Sequence, residues 1–222
     1  MARIANFGAN GAIGHRVVSE ALDRGHTITA VVRDPASVSR THRNLTVVTG
    51  DVLDPASVSL AARDQDVLVS AVGGGDGPGH RALLRPAAES LVAGLHTLGA
   101  GAPRLIVVGG AGSLRVPGGG LLQDTPGVPE DVLLIMRAHA DALAYLRRVA
   151  GEIRWTCLSP AACVRPGRRT GRYETGLDEL VTDARGQSAI SLEDYAVALV
   201  DEIEKPRHLG ERFTVAHGER EA

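Results

Sequence analysis

Short apolar runs alternate with amphipathic segments along most of the chain. The first apolar run ends at Gly8, and an amphipathic segment from His15 to Arg24 follows it directly. A nearly continuous apolar run over 66–72 is typical of a strand that is buried on both faces. After the run that ends at Gly8, the pattern predicts strands over 27–33, 45–48, 66–72, 104–108, 153–158 and 212–216.

Helices are predicted between these strands. Asp54-Pro55 supplies an N-cap and a first-turn proline, and Ser191 is positioned to cap a last helix that reaches Glu204. Longer helices are predicted over 80–98 and 129–149. Strands that alternate with helices favour a doubly wound parallel α/β sheet. We expect a single domain over 1–222, in which 161–222 forms a smaller portion on the substrate side.

Composition limits the classes of function. The chain has 222 residues, of which 44% are hydrophobic, and a formal net charge of −2, so nothing favours a nucleic-acid or membrane partner. We expect a cytoplasmic protein that acts on a small molecule, and a homodimer is compatible with the sequence. Cys157 and Cys163 are predicted to be buried reduced thiols, and no metal-ligand spacing is present.

The turn between the first strand and the first helix carries glycines spaced G-x-x-G-x-x-G. Gly8 allows a sharp turn, Gly11 lets the backbone approach a diphosphate, and Gly14 lets the helix lie close to the strand. The unpaired N–H groups of a helix start favour anions. This strand–turn–helix context indicates a dinucleotide site at the carboxyl ends of the strands.

Two adjacent residues at the end of the second strand bear on the choice of cofactor. Asp34 lies about twenty positions past the glycines, where an acidic residue binds the ribose diol of NAD. Arg33 could instead pair with the 2′-phosphate of NADP. Because an Asp-Pro pair often opens a turn, Asp34 has a competing role, and the sequence favours NADP(H) over NAD(H).

The acid of many short dinucleotide enzymes is missing. These enzymes often use a Tyr followed four residues later by a Lys, but the single lysine, Lys205, follows none of Tyr145, Tyr173 and Tyr195 at that spacing. Without this acid, a reaction that must protonate an alkoxide would lose a rate acceleration of about 10²–10⁴-fold. Flavins and quinones accept hydride as delocalised anions, so the sequence favours FMN, FAD or a quinone as the acceptor.

Other residues remain candidates for catalysis or substrate binding. Ser113 follows the fifth strand and His139 lies on the next helix, and either could act as an acid. The four arginines over 165–172 could bind an anionic group such as a flavin phosphate, or form a solvated turn. The irregular stretch 109–129 could cover a substrate or be a mobile surface loop.

Seven segments together resemble the atypical short-chain dehydrogenases of the NmrA-like, NAD(P)H-binding group, which includes proteins called NADH-flavin reductases. They extend over nearly the whole chain and contain the motifs GDVLD, VVGGAGSL, SPAA, PGRRTG and ISLEDYA. The segments are 4–14, 24–33, 50–54, 107–114, 159–162, 166–171 and 190–196. The sequence has Asn10 where this group more often has Thr, which a turn tolerates.

The resemblance implies a Rossmann-type sheet and assigns roles to cofactor-binding positions. The diphosphate would lie on Gly8, Asn10, Gly11, Ala12 and Ile13, the 2′-phosphate on Arg33, and the adenine beside Asp51 and Val52. The nicotinamide half would lie beside Ala71, Val72, Gly73, Pro160 and Ala161. Arg137 and Leu133 would replace the lysine and tyrosine of relatives that carry the active pair.

Three functions follow from these observations. The first is an NADPH-dependent reductase of a flavin- or quinone-like acceptor. The second is a regulatory protein that senses NADP without turnover, as some NmrA-like proteins do. The third is a biosynthetic reductase or isomerase of a specific metabolite, with Ser113 or His139 as the acid.

Overall fold

The computed structural model describes residues 1–149 and 151–218. The strands are β1 (Arg3–Phe7), β2 (Thr27–Val32), β3 (Leu45–Thr49), β4 (Val67–Ser70), β5 (Arg104–Val108), β6 (Trp155–Ser159), β7 (Cys163–Arg165), β8 (Glu174–Gly176), β9 (Ala189–Ser191) and β10 (Glu211–Ala216). The α-helices are α1 (Gly14–Asp23), α2 (Pro55–Ala62), α3 (Gly77–His96), α4 (Glu130–Arg148) and α5 (Leu192–Glu204). Three short 3-10 helices lie at Pro35–Ser37, Gly99–Gly101 and Leu122–Asp124.

Eight strands form one sheet in the order β3-β2-β1-β4-β5-β6-β10-β8. All neighbours are parallel except β8, which pairs with β10 in the antiparallel direction. The chain reverses its direction of progress across the sheet between β1 and β4, and in such sheets ligands bind at this switch point. The predicted doubly wound α/β fold is therefore confirmed, with an antiparallel edge strand that the sequence pattern did not indicate.

Helices cover both faces of the sheet. Apolar side chains of α1 and α5 pack with one face, and those of α2, α3 and α4 pack with the other. Trp155 and Tyr195 are the largest fully buried side chains, and the hydroxyl of Tyr195 donates to the carbonyl of Leu158 at 2.6 Å. The core is otherwise mostly aliphatic, which agrees with the low aromatic content of the chain.

Several predicted segments have different bounds or partners in the structure. The strand predicted over 153–158 begins at Trp155, and the helix predicted from residue 80 begins at Gly77, where Asp76 caps it. The stretch 109–129 is tied down rather than irregular throughout. Within it, the N–H of Arg115 donates to the carbonyl of Asp178 at 2.9 Å, and its carbonyl accepts from Leu180 at 2.8 Å.

The smaller portion from residue 161 is held against α1 and α5. Arg169 pairs with the buried carboxylate of Glu20 on α1 at 2.7 Å. The fully buried Asp194 accepts bonds from the backbone of Thr170 and Gly171 at 2.7 and 2.8 Å. These contacts place the segment around residue 170 beside the sheet's carboxyl edge, next to the start of α5.

The described helices include none with the combined length and hydropathy of a membrane-spanning segment. Within residues 1–149 and 151–218, no three His, Cys, Asp or Glu side chains are grouped closely enough to hold a metal ion.

Candidate functional site

A groove of about 420 Å³ runs along the carboxyl ends of β1, β2 and β4. It is lined by Phe7, Gly8, Asn10, Gly11, Val31, Val32, Arg33, Gly50, Asp51, Val52, Leu53, Ala71, Val72, Gly73, Gly74, Gly79 and Leu83. This is the place where the strand order reverses, and its size lies within the ordinary range for small-molecule sites. We call it the groove below.

The turn after β1 brings bare backbone to the groove. Gly8 has a φ of +80°, and a Cβ added to it would lie 2.5 Å from the carbonyl oxygen of Ala71. The N–H of Gly11 donates to the carbonyl of Gly8 at 3.0 Å and closes the turn. Because the Ala71 carbonyl fills the space where a side chain would lie, Gly8 is required by the packing of the turn itself, which leaves its backbone without a side chain at the groove.

The start of α1 has no side-chain cap. Its N-cap position is Ile13, which provides no side-chain hydrogen bond, and no acidic residue lies in its first turn. By contrast, Asp54, Asp76 and Ser191 cap α2, α3 and α5 with side-chain oxygens. The backbone N–H groups at the start of α1, together with the positive end of the helix dipole, fit the diphosphate of a dinucleotide.

Two adjacent residues at the end of β2, Arg33 and Asp34, are candidates for contacts with the ribose, and the structure gives them different surroundings. The carboxylate of Asp34 accepts from the N–H of Ala36 at 2.9 Å and caps the 3-10 helix that follows. The exposed Arg33 lines the groove, and no ion pair of Arg33 is formed in the described part of the chain. Asn10 donates to the hydroxyl of Ser37 at 2.9 Å, which joins the glycine turn to this loop.

Most of the predicted cofactor positions come together in the groove, and some do not. The residues that line it are Gly8, Asn10, Gly11, Arg33, Asp51, Val52, Ala71, Val72 and Gly73. Ala12 and Ile13 lie at the start of α1, outside the lining set. Pro160 and Ala161 follow β6, and Arg137 is exposed on α4, so their predicted contacts with the nicotinamide half stay predictions.

Ser113 is held by a buried arginine. Arg212 donates to the hydroxyl oxygen of Ser113 at 2.9 Å and to its carbonyl at 3.2 Å. The same guanidinium pairs with Asp178, whose carboxylate also accepts from Arg147 at 2.6 Å. The hydroxyl is therefore part of a network that joins β10, the loop after β5 and α4.

Two histidines lie between the loops that follow β4 and β5. The rings of His80 on α3 and His139 on α4 have centroids 5.7 Å apart and are tilted by 50°. A Cβ added to Gly110 would lie 2.7 Å from the Cβ of His139. Burial, and to a smaller extent the neighbouring His80, lowers the pKa of His139 to about 4. His139 is therefore neutral near pH 7.

The basic segment over 165–172 is only partly available to a ligand. Arg169 pairs with Glu20, and Arg165 donates to the sulfur of Cys163 at 3.0 Å. Cys163 is partly exposed rather than buried, because the short strand β7 lies outside the main sheet. Cys157 is buried as predicted, and that burial raises the pKa of its thiol to about 12.

Sequence reasoning missed the contribution of α3 to the groove. Gly79 and Leu83 line it, and the ring of His80, which follows Gly79, lies 5.7 Å from that of His139. The glycine-rich run 73–79 is not irregular throughout, because Asp76 accepts from the N–H of Gly79 at 2.6 Å and starts the helix. An Asp followed by Gly-Pro is itself an N-cap signal, and it could have placed this helix start at the groove.

The fold, the glycine turn and the uncapped helix start define a dinucleotide-binding α/β protein of the Rossmann type. Residues 8–206 match the model of an NAD(P)H-binding family, and the chain belongs to that family. This agrees with the resemblance to atypical, NmrA-like short-chain dehydrogenases.

Three solved structures are similar over almost the whole chain. A protein from Burkholderia pseudomallei, provisionally described as exported, is 43% identical, with 98% of this chain and 100% of that chain covered and a TM-score of 0.86. A provisionally described epimerase from Bacteroides thetaiotaomicron is 36% identical, with 99% of each chain covered and a TM-score of 0.88. A provisionally described NADH-flavin reductase from Streptococcus pneumoniae is 32% identical, with 98% and 100% covered and a TM-score of 0.83.

Proposed function

We propose that this protein is an NADPH-dependent oxidoreductase that transfers hydride to a flavin- or quinone-like acceptor. The observation that carries the proposal is the uncapped start of α1 beside the glycine turn, at a groove rimmed by Arg33. A helix start without a side-chain cap and an available guanidinium suit a dinucleotide that carries an additional phosphate.

The preference for NADPH rests on the two residues at the end of β2. Asp34 uses its carboxylate to cap the following 3-10 helix, so binding a ribose diol would cost that bond. Arg33 has a planar donor group that matches a phosphate in two-point geometry. The arginine therefore favours the 2′-phosphate, and the carboxylate is not free to favour the bare diol.

The nature of the acceptor follows from the acids that the chain lacks. The full sequence has no Tyr-x-x-x-Lys pair, and His139 is neutral near pH 7. An acceptor that forms a delocalised anion needs no strong acid beside it. The similarity to a provisionally described NADH-flavin reductase supports the same class of acceptor.

The residues of the chain would then bind and orient rather than exchange protons. When bound, a reduced nicotinamide supplies a hydride. The glycine turn and the start of α1 would hold the diphosphate, and Arg33 would fix the adenosine end. The loops after β4, β5 and β6 would position the acceptor and exclude water. Without an acid, this positioning would be the main contribution of the protein to the reaction rate.

A nucleotide-binding protein without turnover is the second candidate. The observation that favours it is the replacement of the usual acid pair by Leu133 and Arg137 on α4, as the resemblance aligns them, with Arg137 exposed to solvent. Such a protein would use the same groove and differ only in the absence of an acceptor.

The test measures cofactor consumption by the purified full chain. NADPH oxidation is followed by absorbance in the presence of FMN, FAD or a small quinone, with NADPH alone as the blank. We expect NADPH oxidation only when an acceptor is present. Its rate should reach a maximum as NADPH fills the binding site of the protein. Tight NADPH binding with no oxidation by any of these acceptors would support the second candidate and contradict the reductase.

A further inference from the structure

The orientation of the His80 ring gives α3 a specific role at the groove. The Nδ1 atom of His80 lies 2.7 Å from the carbonyl oxygen of Asp76. A carbonyl oxygen can only accept, so Nδ1 must carry the hydrogen. In the neutral form of the ring the hydrogen is therefore on Nδ1, and Nε2 presents an unprotonated lone pair.

That lone pair faces the loop after β4. A Cβ added to Gly73 would lie 3.1 Å from Nε2, and both Gly73 and the adjacent Gly79 line the groove. Within the described part of the chain, Nε2 forms no hydrogen bond, because the only bond of the His80 ring is the one to Asp76. A donor on a ligand would supply the missing partner.

The surroundings hold the ring of His80 in place. His139 faces His80 from α4 at 5.7 Å between ring centroids and is itself uncharged near pH 7. The carboxylate of Asp76, on the same helix start, is bound to the N–H of Gly79 at 2.6 Å. The ring is thus fixed by a backbone acceptor on one side and by a neutral ring on the other.

The position of His80 and His139 along the sheet indicates which part of the ligand would contact these two histidines. The glycine turn and Arg33 lie at β1 and β2, whereas His80 and His139 lie between the loops that follow β4 and β5. A dinucleotide whose diphosphate lies on the start of α1 extends toward those later strands. The groups that reach His80 are then the hydroxyls of the second ribose.

We propose that His80 is a positioning residue that accepts a hydrogen bond through Nε2 from a hydroxyl of the nicotinamide-side ribose. The inference rests on the proposed function, because it assumes that the groove binds NADPH. It adds a contact that would orient the reacting half of the cofactor and leave the adenosine half unaffected.

Two variants test the roles of Nδ1 and Nε2 of His80 separately. His80→Asn keeps a short donor that can reach the Asp76 carbonyl but removes the acceptor at Nε2, whereas His80→Gln places an amide oxygen at the reach of Nε2. Binding of NADPH and of adenosine 2′,5′-bisphosphate, which lacks the nicotinamide half, is measured by titration calorimetry on the full chain. Thermal unfolding of each variant checks that it is folded.

We expect His80→Asn to weaken NADPH about five- to tenfold, the value of one hydrogen bond, and to leave the bisphosphate unchanged. His80→Gln should restore most of the NADPH affinity. Unchanged NADPH binding in His80→Asn, equal losses for both probes, or a Gln variant no better than Asn would overturn the inference. If the wild-type chain binds neither probe, the proposed function fails, and this inference fails with it.

A spectroscopic measurement tests the same contact without any variant. In the wild-type chain labelled with ¹⁵N-histidine, the His80 ring should show a protonated Nδ1 and a bare Nε2. Saturation with NADPH should shift the Nε2 resonance, and saturation with the bisphosphate should leave it in place. An Nε2 resonance that NADPH does not move would overturn the inference.

Discussion

The buried guanidinium of Arg212 donates to the hydroxyl oxygen of Ser113 at 2.9 Å. This bond gives Ser113, a candidate acid by its position after β5, a structural partner. Arg212 has only 2% of its side chain exposed, so its other donors need acceptors inside the protein, and Asp178 and the carbonyl of Ser113 provide them.

The first prediction separates stability from catalysis at Ser113. Ser113→Ala should lower the free energy of unfolding by about 1 kcal/mol, because a buried donor of Arg212 loses its acceptor. Acceptor-dependent NADPH oxidation should change by less than about twofold, since a delocalised acceptor needs no acid at this place. Urea unfolding and steady-state rates measure the two effects.

Ser113→Thr is the matched control, because it keeps an oxygen for Arg212. It should retain most of the stability. A large loss of turnover in Ser113→Ala, with NADPH affinity intact, would contradict the reductase without an acid and favour a metabolite reductase or isomerase that uses Ser113.

The contacts of Arg212 are an example of structure that could not be predicted from the sequence. The strands and helices that form the groove follow from apolar periodicity and from caps such as Asp54 and Ser191, which are local signals. The partners of Arg212 come from two distant segments, around Ser113 and Asp178. No local pattern predicts that a serine after β5 will meet an arginine on the last strand.

The short strands were missed for a related reason. β7 and β8 have three residues each, too few to show an alternation of apolar and polar positions. β8 is stabilised by pairing with β10, and β7 by pairing with β9. A glycine turn is easier to predict than these edges, because its steric requirements are visible in the sequence itself.

The second prediction concerns the preference between cofactors. Arg33→Ala should weaken NADPH about ten- to hundredfold, the range for a charged hydrogen bond, and change NADH by less than about twofold. Fluorescence titration of the purified variants with both cofactors measures the affinities. Arg63→Ala, which removes an arginine at the far end of α2, is the control and should leave both affinities unchanged. Equal losses for NADPH and NADH in Arg33→Ala would show that Arg33 does not recognise the phosphate.

The third prediction uses two glycines with nearly the same backbone conformation. Gly8 and Gly75 have φ values of +80° and +82°, but only Gly8 has no space for a Cβ, which would meet the carbonyl of Ala71 at 2.5 Å. Both Ala variants should lose about 1–2 kcal/mol to the left-handed backbone. Gly8→Ala should lose more than this and should also lose NADPH binding.

Thermal unfolding and NADPH titration of the two variants test this pair. Since Gly75 has no heavy atom within 4 Å of the added Cβ, Gly75→Ala measures the backbone cost alone. NADPH affinity that is intact in Gly8→Ala would mean that the turn after β1 does not hold the diphosphate.

The fourth prediction is a pH dependence that originates at His139. Burial, and then His80, lowers the pKa of His139 to about 4, whereas the unfolded chain has the ordinary histidine value of about 6.5. Between these two values the unfolded state binds a proton that the folded state does not. The free energy of unfolding therefore falls as the pH drops through that window, and the loss is complete below the lower value.

His139→Gln removes this titration, so the variant should lose less stability than the wild-type chain between pH 7 and pH 5, as measured by urea unfolding at each pH. Parallel curves for the wild type and His139→Gln would mean that His139 titrates normally in the folded protein. It could then donate a proton near neutral pH, and the argument for an acceptor that needs no acid would lose one of its supports.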